Sequence, residues 1–401
     1  MNLLTRRDGT VTLFATVVIL PVVIVALVVA EIGGGALETA RLRSSLLRYV
    51  MSVAAGYDQN LLSDYGLYGI TREQSGLWAG AEISPDITLT QSLADSQVLE
   101  HAIVSAGMGL WDYVAVERVV SKVITLGEYF GLVGAEEILE DASKHAAEIT
   151  AQAAGEIILQ NLPHIDLEEI FDAICNMASA LGDNWVAVGG EWLWNNGDKG
   201  LSLNFSGIVA EAKCWIREFV HADLVERVRE GVGCTSYILS YMTAYNRTLD
   251  RHSVLRSAET EYCIFGYNVG SLNIMESYQR IFKMRLAINL VDYLINTDIP
   301  EIDTRIVCAC ILAVVATLSD VVSLMAGEAV SLAPHLDMVD TDYTDYLAVM
   351  LLTTNGTLLL ARIGDIINMN LATNNQRSGL EDYFTCITAT MDKEKFTYEY
   401  K

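Results

Sequence analysis

Arg6-Arg7-Asp8-Gly9-Thr10, followed by VTLFATVVILPVVIVALVVA from Val11 to Ala30, decides how the chain is read. The run of 20 residues carries no charge. At about 1.5 Å per residue, a helix of that length matches the hydrocarbon layer of a bilayer. A membrane anchor is therefore expected at 11–30, behind a short leader at 1–10. Pro21 sits mid-span, where it frees the carbonyl of Val17 and bends the helix. Ala26 and Ala30 offer a small-x-x-x-small spacing that lets such helices approach and self-associate.

Charge gives the orientation. The whole chain of 401 residues carries −25, and its first ten residues carry +1 through Arg6, Arg7 and Asp8, leaving −26 beyond them. Arg6 and Arg7 favour an N-terminus inside and an acidic bulk outside. Arg41, Arg43 and Arg48 on the far side pull the other way, but the first charge after the run is Glu31. An acidic surface repels nucleic acid, so DNA or RNA is not an expected partner. The chain is expected to cross a membrane once, with its N-terminus inside. The partners are the bilayer itself, other membrane proteins or a second copy.

Outward from the anchor, Gly33-Gly34-Gly35 forms a joint. An amphipathic juxtamembrane helix is expected at 36–62, with Leu42, Leu46, Val50, Val53, Tyr57 and Leu61 on one face. Gly66 ends it. A large helical extracytoplasmic domain fills 63–401, with a subdivision near 181–207 where Gly, Asn and Trp dominate. Within it, residues 71–100 read as loop. Ala135 to Leu162 reads as one helix stopped by Pro163. Two strands meet at Asn195-Asn196-Gly197. Helical periodicity runs from Ile208 to Ala258. Glu259 to Gly270 reads as a short strand and turn. A helix follows from Ser271, with Tyr278, Phe282, Leu286, Leu290 and Leu294 on one side. Ile306 to Ala326 has a charge-free core of 14 residues before Asp320, which fits a buried helix better than a span. Asp345–Leu352 and Thr357–Leu371 form a helix pair broken at Asn355-Gly356. The C-terminus alternates around Asp392-Lys393-Glu394-Lys395 and predicts a closing β-hairpin. The fold class is mainly α with minor β (α+β).

Sites of known chemistry are sparse. The seven cysteines are scattered with no C-x-x-C pair and read as small buried residues. The six histidines show no metal-ligand spacing. There is no G-x-S-x-G elbow or P-loop, and Gly231-Val232-Gly233 reads as a turn. Asp337, Asp340, Asp342 and Asp345 form the densest carboxylate cluster. An EF-hand opened by Asp340 would have Asp345 where glycine is required. A solvated loop leading into a helix, with Thr344 or Asp345 near the N-cap, is the plainer reading. No catalytic, cofactor or metal residue is assigned, and no cofactor is implied. The chain reads as a non-enzymatic structural component. The alternatives are a tethered ligand-binding or adhesion domain with a pocket lined by Trp185, Trp192, Trp194 and Trp215, a tethered enzyme, and a protein released by cleavage after Val28-Val29-Ala30.

Arg6-Arg7-Asp8-Gly9-Thr10-Val11-Thr12-Leu13-Phe14 resembles the start of Tad/Flp pilus-assembly proteins of the TadE and TadG type. The resemblance implies cleavage after Gly9 by a prepilin-type peptidase, with Thr10 as the new N-terminus. Phe14 stands where pilins and TadE carry a glutamate, so a TadG-like role outside the filament fits better. A closer resemblance is to an uncharacterised family of membrane-anchored proteins of Gram-positive bacteria. It is carried by Gly9 to Phe14, Glu38-Thr39-Ala40-Arg41 and Tyr57-Asp58…Tyr65-Gly66-Leu67, and further by Glu261 to Gly266, Asp342 to Leu347 and Ile363 to Leu371. It implies location and architecture, not a reaction.

Overall fold

The computed structural model describes residues 31, 34–73, 85–108, 112–132, 134–162, 164–165, 172, 193–197, 200–220, 223–247, 249, 254–255, 258–335, 339–375, 379–391 and 394–400. The anchor at 11–30 and its leader lie outside them. The described chain is mainly helical with some antiparallel strands. In chain order its first elements are α1 (34–54), α2 (Gln59–Tyr65), β1 (Ile70–Thr71), β2 (Asp86–Ser92), α3 (Ser96–Met108) and α4 (Asp112–Leu132). Next come α5 (Ala135–Ala146), α6 (Ala151–Asn161), β3 (Trp194–Gly197), β4 (Gly200–Leu203), α7 (Phe205–Val220) and α8 (Asp223–Tyr241). Then follow α9 (Glu259–Phe265), α10 (Gly270–Asn296), α11 (Ile302–Met325), β5 (Val330–Ser331) and β6 (Asp340–Thr341). The last are α12 (Tyr343–Thr353), α13 (Gly356–Asn375), β7 (Tyr383–Met391) and β8 (Glu394–Glu399).

Two compact units emerge: Met1–Leu62 with Tyr68–Leu93 and Glu381–Lys401, and Ser63–Leu67 with Ala94–Leu380. The first is a helix on a sheet. β7 is the central strand, and β1, β2 and β8 all pair with it antiparallel. Period-two alternation puts Ile387, Ala389 and Met391 on one face of β7, opposite Ile87 and Leu89 of β2 and Phe396 and Tyr398 of β8. Leu46, Val50 and Val53 of α1, spaced four and three residues apart, pack on that face. Arg43 ties the helix to β8 through a 2.7 Å ion pair with Glu394. The expected helix at 36–62 is thus broken. A turn follows residue 54, and Asp58 restarts the helix by accepting from the Asn60 and Leu61 N–H groups at 2.9 and 3.1 Å. Tyr383 donates to the other Asp58 oxygen at 3.1 Å, so the buried cap is fixed from the sheet. The closing hairpin forms as expected. Strand β2 was missed inside a segment read as loop, because its partner lies near the other end of the chain.

The second unit is helical. α10 packs on α11, α7 and α9, while α8 packs on α3, α4 and α12. Gly66, at φ +65°, terminates α2 in the left-handed region, and the Tyr241 ring fills the space a Cβ would need. Gly231-Val232-Gly233 is not a turn but lies inside α8. The carbonyl of Gly233 comes so near Gly107 of α3 that a side chain at Gly107 would collide with it. The helix expected over Ala135–Leu162 is two, divided at 147–150, where Thr150 caps α6 by accepting from the Ala153 N–H at 3.2 Å. Glu259–Phe265 is helix, not strand. Among the described residues of 208–258, helical structure ends at Tyr241. β3 and β4 pair with Asn195-Asn196-Gly197 inside the strand rather than at its turn. α12 and α13 are bent by 118° at the predicted break.

Among the described residues, α11 is the helix long and apolar enough to cross a membrane. Ile306 to Ile311, Ala313, Val314, Thr317, Leu318, Val321 and Leu324 are all buried within the unit, which marks α11 as a core helix.

Candidate functional site

The polar chemistry of the second unit gathers along one stripe of α10. Tyr278, Arg285, Asn289 and Asp292 are spaced seven, four and three residues apart, and all four are buried. At 3.6 residues per turn they fall within about 60° of one another. Arg285 and Asn289 share their partners while Tyr278 and Asp292 each face others, so the stripe holds three constellations.

In the middle, Arg285 is 1% exposed. Its Nε donates to Asp320 Oδ2 of α11 at 3.0 Å, and its Nη2 donates to the same oxygen. Nη1 donates to the carbonyls of Ser331 and Leu332, each at 2.8 Å, and reaches the Tyr346 hydroxyl at 3.3 Å. Nη2 also meets Asn289 Oδ1 at 3.3 Å. Asn289 donates to Thr317 and Asp320, both at 3.0 Å. Burial lowers the Arg285 pKa, Tyr346 and Asp320 raise it, and the balance lies above the ordinary arginine value. A buried charge persists only when paired and hydrogen-bonded in this way.

Toward the C-terminal end, Asp292 is fully buried and accepts from Tyr129 at 3.1 Å and Asn296 at 3.2 Å. Its other oxygen meets Nδ1 of His335, whose side chain is half exposed. A buried carboxylate that fixes an imidazole through Nδ1 leaves Nε2 turned to other partners, an orientation suited to proton transfer.

At the N-terminal end, Tyr278 stacks on Tyr343 of α12 with centroids 4.9 Å apart, and Tyr245 meets Tyr278 edge-on at 5.7 Å. Tyr343 donates to Oε1 of Glu261 at 2.8 Å, and the Tyr245 N–H donates to the same oxygen at 2.9 Å. Glu261 Oε2 and the Tyr278 hydroxyl, both buried, have no hydrogen-bond partner among the described residues. Burial pushes the Glu261 carboxyl up to about 7, against the pull of the Tyr245 N–H, its own N–H and the Tyr343 hydroxyl, and with the help of the Glu259 charge. Burial likewise raises the Tyr278 and Tyr343 hydroxyls. Glu259, two residues earlier, is bonded throughout. Asn370 donates to Oε1 at 2.7 Å, and the Thr243 N–H and hydroxyl donate to Oε2 at 2.8 and 3.0 Å.

A cavity of about 30 Å³ lies between α4, α10 and α12, lined by Val119, Val123, Leu126, Met284, Ile288 and Val349. That is room for one or two waters.

The residues singled out in the sequence fall elsewhere. Arg6, Arg7, Gly9, Thr10, Val11, Phe14, Pro21, Ala26 and Ala30 lie outside the described residues, as do Asp337, Trp185 and Trp192. Trp215 sits on α7, its indole donating to Glu211 at 3.2 Å under the Arg280 guanidinium. In the carboxylate cluster the loop leads into α12 as expected, with Asp342 as the N-cap and Thr344 and Asp345 beside it in the first turn. The Asp342 side chain accepts from the Asp345 N–H at 2.9 Å while Asp345 accepts from the Asp342 N–H at 3.0 Å, a reciprocal capping box. Lys122 pairs with Asp345 at 2.7 Å. Among the described residues no group of three His, Cys, Asp or Glu side chains is placed to hold a metal. The α10 stripe was missed in the sequence. Its signal was an arginine, an asparagine and an aspartate at helical spacing on the helix that also carries Phe282, Leu286, Leu290 and Leu294.

In comparisons with protein families, characterised proteins and solved structures, nothing matches this chain.

Proposed function

We propose that the protein is a membrane-anchored structural component of a bacterial surface, of the Tad-like pilus-assembly kind, with its acidic bulk outside the cytoplasmic membrane. The observation that carries this reading is the charge-free run Val11 to Ala30 behind Arg6 and Arg7, set against −26 in the remainder. The single transmembrane helix belongs to this proposal. The interior of the second unit agrees with a structural role. The Arg285 and Glu259 polar groups bond to neighbouring helices and loops, so they act as struts between elements.

N-terminal sequencing of the protein from washed membranes tests the reading. A start at Met1 supports an uncleaved anchor, and a start at Thr10 supports pilin-type processing. A start at Glu31, with the protein in the soluble fraction, contradicts the proposal.

A further inference from the structure

We propose that Glu261 makes the seam between α9, α10 and α12 proton-responsive: the seam is tight while the carboxyl is neutral and loosens when it ionises. The inference does not depend on the side of a membrane on which the unit lies.

The geometry sets α9 apart from an ordinary buried helix. Its N-terminal carboxylate, Glu259, has donors on both oxygens. Its C-terminal end is pinned from α13, where Arg362 donates to the carbonyls of Cys263, Ile264 and Phe265 at 2.8, 2.6 and 3.3 Å. Between these two fixed ends stands Glu261, with one oxygen twice bonded and the other bare. A neutral carboxyl leaves little charge unsolvated there. An ionised one puts charge on an oxygen to which no other described residue donates, inside a cluster of tyrosine rings. Opening the seam hydrates that oxygen and the Tyr278 hydroxyl together.

The groups facing Glu261 do not cancel its charge. From its own helix come Glu259 and the buried Cys263 thiol. From the loop after α8 comes Tyr245, from α10 Tyr278 and from α12 Tyr343. From α13 the charged groups Arg362 and Asp365 act on Cys263 and on Tyr262 of α9. The Arg362 guanidinium is committed to the carbonyls at the far end of α9.

The sign follows from linkage. The folded carboxyl titrates near 7, above its ordinary value of 4.5. Between those two values the closed seam holds a proton that an opened, hydrated carboxyl gives up. Closure therefore weakens as pH rises through this window and is constant above it.

Hydrogen exchange of the full-length protein in detergent micelles tests the proposal, following the amides of Glu259–Phe265 and correcting for intrinsic rates. Protection is expected to fall roughly 100-fold between pH 5 and pH 8. In Glu261→Gln it should be the same at both values. Tyr343→Phe removes a donor to the ionised form, so its protection should fall further than in the wild type. It also keeps the test open if the first variant does not fold. Equal wild-type protection at the two pH values overturns the proposal. So does a fall in Glu261→Gln as large as in the wild type, or a Tyr343→Phe loss of the same size at both pH values.

Discussion

Residues 11–30 and helix α11 are alike in apolar length and unlike in charge pattern. Both are apolar stretches of at least 20 residues. The first contains no charged residue and follows a pair of arginines. The second carries Asp320, which takes the Arg285 guanidinium inside the protein, and most of its apolar residues are buried within the unit, with Val315 and Val322 left exposed. Apolar length alone does not separate a span from a core helix. What separates them is whether the surrounding chain supplies polar partners and a protein surface to pack on.

Four substitutions sharpen the contrast, from the largest effect to the smallest. Asp320→Ala strands a buried guanidinium and should cost about 3–5 kcal/mol in urea unfolding, whereas Arg285→Met combined with Asp320→Leu should recover much of that loss. Val23→Lys puts a charge in the middle of the first stretch. It should disfavour membrane insertion by about 2.5–3.5 kcal/mol, read as the membrane-inserted fraction in a translocation assay. Asp342→Ala removes the cap of α12, next to the strand pair that leads into the Arg285 site, and should lower stability by about 1 kcal/mol. Val322→Lys lies on the solvent side of α11, where the valine is 56% exposed, and should change stability by less than about 0.5 kcal/mol. A lysine harmless at Val322 and disruptive at Val23 would show that the two stretches inhabit different solvents. Equal tolerance at both positions would erase the distinction.

Features governed by a single period were legible in the sequence. The buried residues Leu46, Val50 and Val53 follow the helical repeat, and the closing hairpin follows the strand repeat. The α12–α13 corner was marked by Asn355-Gly356. What the sequence concealed depends on distant partners. Glu259 to Phe265 has the aromatic and polar mixture of a strand, but it is helical where Thr243, Asn370 and Arg362 engage it. Gly233 looked like punctuation because the close approach of Gly107 is a property of two helices. Asp320 appeared only as an interruption in an apolar run, since its meaning lies 35 residues earlier at Arg285. The buried carboxyl of Glu261 was unreadable for the same reason.

The measurement that tests the central claim most directly is carbonate extraction of membranes carrying either the full-length chain or a variant lacking residues 1–30. The account predicts that the full-length protein stays in the pellet and that the truncated one is found entirely in the supernatant, still folded. A truncated protein that remains in the pellet, or a full-length protein stripped by carbonate, would contradict it and shift attention to α11 or to a peripheral mode of attachment.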